Sequence, residues 1–127
     1  MMIFITLEQL LQLHVLVLAK DGGVSGVRDA GRLEAAVATQ EQQVFGSDIY
    51  AGAFQKVAAL MRNIIADHAF IDGNKRTAML AGLTLLELNG YVVNLKKGEL
   101  EDFAVSVATN HLDISAIADW LQKHSTS

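Results

Sequence analysis

Between Asp67 and Thr77 the chain reads DHAFIDGNKRT. A glycine there allows a tight turn that a side chain would hinder. If a helix starts just after it, the first amides point outward with the positive end of the helix dipole behind them. That arrangement suits a phosphate. Lys75 and Arg76 add two cations at the same place, one a point charge and one a fork for two oxygens. Asn74 can donate to a phosphate or fix the loop through its backbone. Asp72 beside them is what magnesium needs: one protein oxygen, with phosphate oxygens and waters completing the octahedron. His68 lies four residues earlier. An imidazole titrates near about 6.5 and is largely neutral at pH 7, so it can accept a proton from a hydroxyl. Phe70, between the two, is expected to turn inward and anchor the loop, leaving His68 and Asp72 toward the cleft.

Taken singly, each residue has a plain structural use: His68 and Asn74 as helix-end residues, Phe70 as core, Lys75 and Arg76 as a solvated pair. Their joint occurrence at fixed spacing points to chemistry. Other candidates are weaker. Arg62, on a helix ending near Ala66, is a lesser candidate for the phosphates, a surface arginine being the usual case. Asp67 reads as a helix end rather than a partner of His68. His14, His111 and His124 have no ligand spacing with His68 and read as structural or surface residues.

The elements that must position this loop are mostly helical. Thr6 and Gln9 form a capping-box pattern. Leu7, Leu10, Leu11, His14 and Leu18 then follow helical spacing. Gly22, Gly23 and Gly26 make a loop, and Asp29 is placed to cap a second helix through Leu33, Ala36 and Val37. Ser47 is expected to cap a third, containing Phe54, Val57, Ala58, Met61, Ile64 and Ile65. The segment from Asn74 to Leu88 is apolar on nearly every face, the mark of a buried helix, and Asn89–Gly90 stops it. Glu99–Thr109 and Asp113–Lys123 read as two final helices. Met2–Ile5 is expected to be extended and to pair with Tyr91–Leu95. The sum is an all-α fold, one domain over residues 1–127, with about six helices around a buried central helix.

Composition bounds the function. The chain has 127 residues, no cysteine and no proline. Without cysteine there is no disulfide framework, thiolate zinc site or cysteine nucleophile. A net charge of −4 with no basic run disfavours direct nucleic-acid binding. No apolar stretch approaches membrane-spanning length and no basic leader is present, so a cytoplasmic protein without membrane partners is expected. Neither a P-loop nor a dinucleotide-binding glycine pattern occurs.

His68, Phe70, Asp72, Gly73, Asn74, Lys75 and Arg76 together resemble the signature of the Fic/Doc family, in the lysine-bearing form of its death-on-curing branch. The stretch GGVSGVRDAGRLEAAVA from Gly22 is similar to a second family pattern, and the small helical layout agrees, so the resemblance covers nearly the whole chain. It implies that His68 is the general base for a target hydroxyl and that Asp72 holds magnesium. Gly73, Asn74, Lys75 and Arg76 would hold the nucleotide phosphates, with Phe70 as the anchor.

Two departures from the wider family bear on the reaction. Lys75 replaces a glycine that lets the backbone wrap the inner phosphates of the nucleotide. Met79 stands where the wider motif has a second arginine. Both features are as in the death-on-curing branch, which binds ATP the other way round. The resemblance therefore implies a toxin of a toxin–antitoxin pair, a Ser/Thr kinase-type phosphotransferase. It would move the terminal phosphate of Mg-ATP to a translation factor, elongation factor Tu first, and arrest translation. A cognate antitoxin is the implied partner, its tail folding into an apolar groove. The alternatives are AMP transfer to a protein hydroxyl, against which Lys75 speaks, and an idle antitoxin-binding module.

Overall fold

The computed structural model describes residues 2–127. Its helices are α1 (Leu7–Asp21), α2 (Ala30–Ala38), α3 (Ala53–Asp67), α4 (Asn74–Leu88), α5 (Glu99–Thr109) and α6 (Ile114–Lys123). A 3-10 turn spans Thr39–Glu41, and four two-residue strands complete the set: β1 (Gln43–Val44), β2 (Ser47–Asp48), β3 (Val92–Val93) and β4 (Ser125–Thr126). The fold is all-α, as expected. None of the described helices is long and apolar enough to cross a membrane.

Helix starts follow local chemistry. Thr6 and Gln9 satisfy each other's backbone amides in a capping box. Asp29 caps α2 by accepting from Arg32 N–H at 3.1 Å, and Asp113 caps α6 by accepting from Ala116 N–H at 2.8 Å. The third start departs from expectation. Ser47 caps no helix; it lies in β2, which pairs with β1 in a hairpin, and α3 begins at Ala53 after Gly52. The hairpin turn is Phe45–Gly46, both with positive φ, which matches a two-residue turn to the strand twist.

Helices α3 and α4 form the central pair. α3 packs against α4, α6, α2, the 3-10 turn and α5. Val57, Ala58, Ala59, Leu60 and Ile64 on it are fully buried. The two helices approach closely where Gly82 faces Met61, leaving no room for a Cβ. Helix α4 is less enclosed than its sequence suggests. Ala78, Ala81, Leu85 and Leu86 are fully buried, whereas Leu80 and Leu83 line a groove and Leu88 is exposed.

The expected pairing of Met2–Ile5 with Tyr91–Leu95 does not form. β3 pairs with β4 instead, Val92 opposite Thr126 and Val93 opposite Ser125. The N-terminal segment forms no strand and is bonded by two side-chain amides. Asn89 accepts from Ile3 N–H at 2.7 Å and donates to Ile3 C=O at 2.9 Å. Buried Gln40 accepts from Ile5 N–H at 2.9 Å and donates to Ile5 C=O at 3.0 Å. Each amide reproduces the donor–acceptor pair of a neighbouring strand.

Candidate active site

The connection between α3 and α4 carries the motif, and its shape is over-determined. α3 ends at Asp67, and His68 takes a left-handed conformation with φ 47° and ψ 51°. That turn leaves the His68 side chain exposed at the surface. Phe70 then turns fully inward and stacks on His14 of α1, ring centroids 3.8 Å apart and planes 11° apart. Asn74 holds the same residue from the other side: its Oδ1 accepts from Phe70 N–H and its Nδ2 donates to Phe70 C=O, both at 2.9 Å. Of the two uses open to Asn74, the loop-fixing one is the one its amide adopts.

The glycine-rich stretch after α1 forms the other wall. Ala69 C=O accepts from the amides of Arg28 at 2.8 Å and Asp29 at 3.1 Å, and Ile71 N–H donates to Gly26 C=O at 3.1 Å. Val27 and Phe70 thus face each other as an isolated antiparallel bridge. The positive φ of Gly23 and Gly26, 121° and 124°, favours glycine here. A Cβ on Gly26 would come within 2.8 Å of Ile71 Cδ1, and one on Gly23 within 2.7 Å of Asp72 Oδ2. The sequence signals both loops but not that they pair.

Asp72 is held at both oxygens. Oδ2 accepts from Val24 N–H at 3.1 Å and Oδ1 from Gly73 N–H at 2.8 Å. These amides, Val24 first, and then the nearby charge of Arg76 hold its carboxyl below the usual range. Asp72 is therefore anionic, fixed and exposed, with lone pairs to spare. No group of three or more His, Cys, Asp or Glu side chains gathers among the described residues. A lone carboxylate beside cations fits a magnesium ion bound mostly through phosphate oxygens, and does not fit a protein-only metal cage.

Gly73 opens α4 at φ 76°, and no side chain caps that helix. The amides of Asn74, Lys75 and Arg76, at its first three positions, have no carbonyl one turn back inside the helix. Lys75 and Arg76 are exposed at this uncapped start, and neither makes an ion pair within 4.0 Å among the described residues. The two also line a groove of about 530 Å³ between α1, α4 and α5, whose walls include Leu16, Val17, Leu80, Leu83, Ala104 and Val105.

The remaining candidates separate. Arg62 lines a different, smaller cavity of about 140 Å³ with His68 and His111, not the groove where Lys75 and Arg76 sit. Asp67 ends α3, its carbonyl accepting from Arg32 Nη1 at 3.1 Å. His124 bridges Trp120 C=O and Glu99 at 2.7 and 3.1 Å, far from the motif in role. Sequence reasoning read His14 as structural or surface and gave it no part in the loop, which it touches twice; nothing in the sequence marks a partner that is a backbone carbonyl 58 residues away.

The chain puts a base candidate, a fixed carboxylate, two unpaired cations and an uncapped helix start on one connection. Comparison with known proteins gives the family. Residues 4–86 match the family model described as "Fic/DOC family". The chain is 41% identical over 99 residues to "Toxin Doc" of Mycolicibacterium smegmatis, covering 76% of each chain. It is 34% identical over 116 residues to "Protein kinase doc" of Escherichia phage P1, covering 91% of this chain and 90% of the relative. A family-model match over residues 4–86 and two relatives aligned over 76% and 91% of the chain converge, and the chain belongs to the Fic/DOC family.

Proposed function

We propose that this chain is a Doc-type toxin acting as a protein kinase. It would transfer the terminal phosphate of Mg-ATP to a Ser or Thr hydroxyl of a translation factor, elongation factor Tu first, and so arrest translation in the cytoplasm. The observation that carries the reading is the unpaired Lys75–Arg76 pair on the uncapped first turn of α4, beside the fixed Asp72. The name of the phage relative, "Protein kinase doc", supports the same reaction class.

Phosphoryl transfer asks a protein for positioning, charge neutralisation and a base. In this reading the phosphates lie over the amides of Asn74–Arg76, with Lys75 as a point charge and Arg76 as a fork. Asp72 would hold magnesium, which when bound neutralises phosphate charge. His68 takes the proton from the target hydroxyl as its oxygen bonds to the terminal phosphorus. The bond from that phosphorus to the bridging oxygen breaks, and ADP leaves with the electron pair. The αL turn at His68 and the buried Phe70 keep the imidazole outward, where a protein substrate can reach it.

The groove between α1, α4 and α5 fits the tail of an antitoxin. It is mostly apolar, with Lys75 and Arg76 among its charged lining residues, so an amphipathic segment lying in it would adjoin the proposed phosphate site.

The test is to mix the purified protein with Mg-ATP and elongation factor Tu and weigh the intact factor. A gain of one phosphate, lost with His68→Ala, is expected. A gain of AMP instead means that Lys75 does not invert the nucleotide. No gain sinks elongation factor Tu as the target.

A further inference from the structure

His14 has an unusual place for a polar side chain. It sits on α1 with only 4% of its surface exposed. Leucine would fill such a position without the cost of burying an imidazole. Its Nε2 lies 2.8 Å from the carbonyl oxygen of Asp72. A carbonyl only accepts, so Nε2 must carry the proton and donate it. The same ring stacks on Phe70. One side chain thus bonds the residue before Gly73 and packs on the residue that anchors the loop. Nε2 is also 3.7 Å from where a Gly73 Cβ would stand, so the ring lies directly under the turn that opens α4.

The peptide between Asp72 and Gly73 has two ends. Its carbonyl is fixed by His14, and its N–H donates back to Asp72 Oδ1. Rotating that peptide would release both bonds together and swing the carboxylate away from Val24 N–H. We propose that His14 is a positioning residue of the site: by donating to the Asp72 carbonyl it sets the orientation of the Asp72 carboxylate and of the Gly73 amide. The proposal rests on the reading of this loop as a magnesium-nucleotide site. His14 itself touches neither nucleotide nor target.

His14→Leu and His14→Gln test it as a pair. Both lack the ring, so both lose the stack on Phe70; only glutamine keeps an N–H able to reach the carbonyl. Affinity for ADP is measured by calorimetry with and without magnesium, alongside thermal melting. Removing a partner that orients a metal ligand typically costs about tenfold to a hundredfold in affinity, so His14→Leu should weaken Mg-ADP by about tenfold or more. Metal-free ADP should change less, because it does not use Asp72. His14→Gln should recover Mg-ADP binding to within about threefold of wild type, even if both variants melt at the same lowered temperature. If leucine prevents folding, His14→Met replaces it. Equal Mg-ADP affinities for the glutamine variant and its apolar counterpart overturn the proposal, as does an equal loss with and without magnesium. A wild-type chain that binds no Mg-ADP instead overturns the nucleotide-site reading, and no variant is needed to see it.

Discussion

The side-chain amide of Asn74 closes a ring on the backbone of Phe70, accepting from its N–H and donating to its carbonyl, both at 2.9 Å. One residue at the start of α4 therefore holds the buried Phe70 of the preceding connection. Asn74→Ala removes both bonds and leaves two part-buried backbone groups without partners, at a cost of about 1–3 kcal/mol. Asn74→Asp keeps the acceptor but turns a second carboxylate oxygen toward the Phe70 carbonyl, so it should also be destabilised at neutral pH. Urea unfolding of the three proteins checks this, and equal stabilities would show that the ring does not bear on the fold.

Gly23→Ala and Gly22→Ala separate steric contact from backbone strain. Both glycines have positive φ, 121° and 77°. A Cβ on Gly22 meets nothing within 4 Å, whereas one on Gly23 comes within 2.7 Å of Asp72 Oδ2. Each substitution should cost about 1–3 kcal/mol for the strained backbone. Only Gly23→Ala should also reduce phosphotransfer, by about tenfold or more, because it displaces the carboxylate. Transfer rates under saturating Mg-ATP decide the matter.

Acid should unfold the protein through carboxylates held below their ordinary range. Glu99 is lowered by the Lys96 amide first and by His124 next; Asp48 and Asp72 are lowered by hydrogen bonds of their own. A depressed carboxylate stabilises the fold above its unfolded pKa, about 4. That contribution is lost as pH falls through the lower folded value. Melting temperature should thus be insensitive to these groups above about pH 5 and fall below pH 4. In Glu99→Gln the deficit against wild type should be full at neutral pH and close as the pH drops below Glu99's folded value. A deficit that persists unchanged at the lowest pH would contradict the assignment.

Val105 is 54% exposed on α5 and lines the groove beside Ala104. Val105→Arg puts a charge there without entering the core. The melting temperature should stay within about 2 °C of wild type, since surface changes of this kind cost under about 0.5 kcal/mol. Antitoxin affinity should fall tenfold or more if the groove is its seat, as is common for a central apolar contact. Titration of antitoxin peptide into both proteins measures this, and unchanged binding would move the antitoxin elsewhere.

Much of the site was legible because its parts are local. His68 through Arg76 lie on one connection, and the helix after them announces itself by composition. Two capping residues were legible for the same reason: Thr6 and Asp29 act within three residues of themselves. What escaped is non-local and uses backbone partners. His14 meets a carbonyl 58 residues on, and Asn89 meets the main chain of Ile3 across 86. A residue type carries no mark of such a partner. Ser47 misled for a different reason. Its hydroxyl suits a helix cap, but Phe45–Gly46 makes a tight hairpin that consumes the residue in β2. That leaves Gly52, which offers no side chain, at the start of α3.

The uncapped beginning of α4 has a consequence for the lifetime of the free protein. A serine or threonine cap contributes about 1 kcal/mol to a helix, and α4, half of the central pair, goes without one. An anion seated on those amides completes the helix, so ligand and fold become thermodynamically linked. A nucleotide at a hundred times its dissociation constant adds about 2.7 kcal/mol, a substantial share of a small domain's stability. The empty protein is then the more easily opened form and the more readily digested by proteases. Nucleotide supply would govern not only how fast such a chain works but how long it survives.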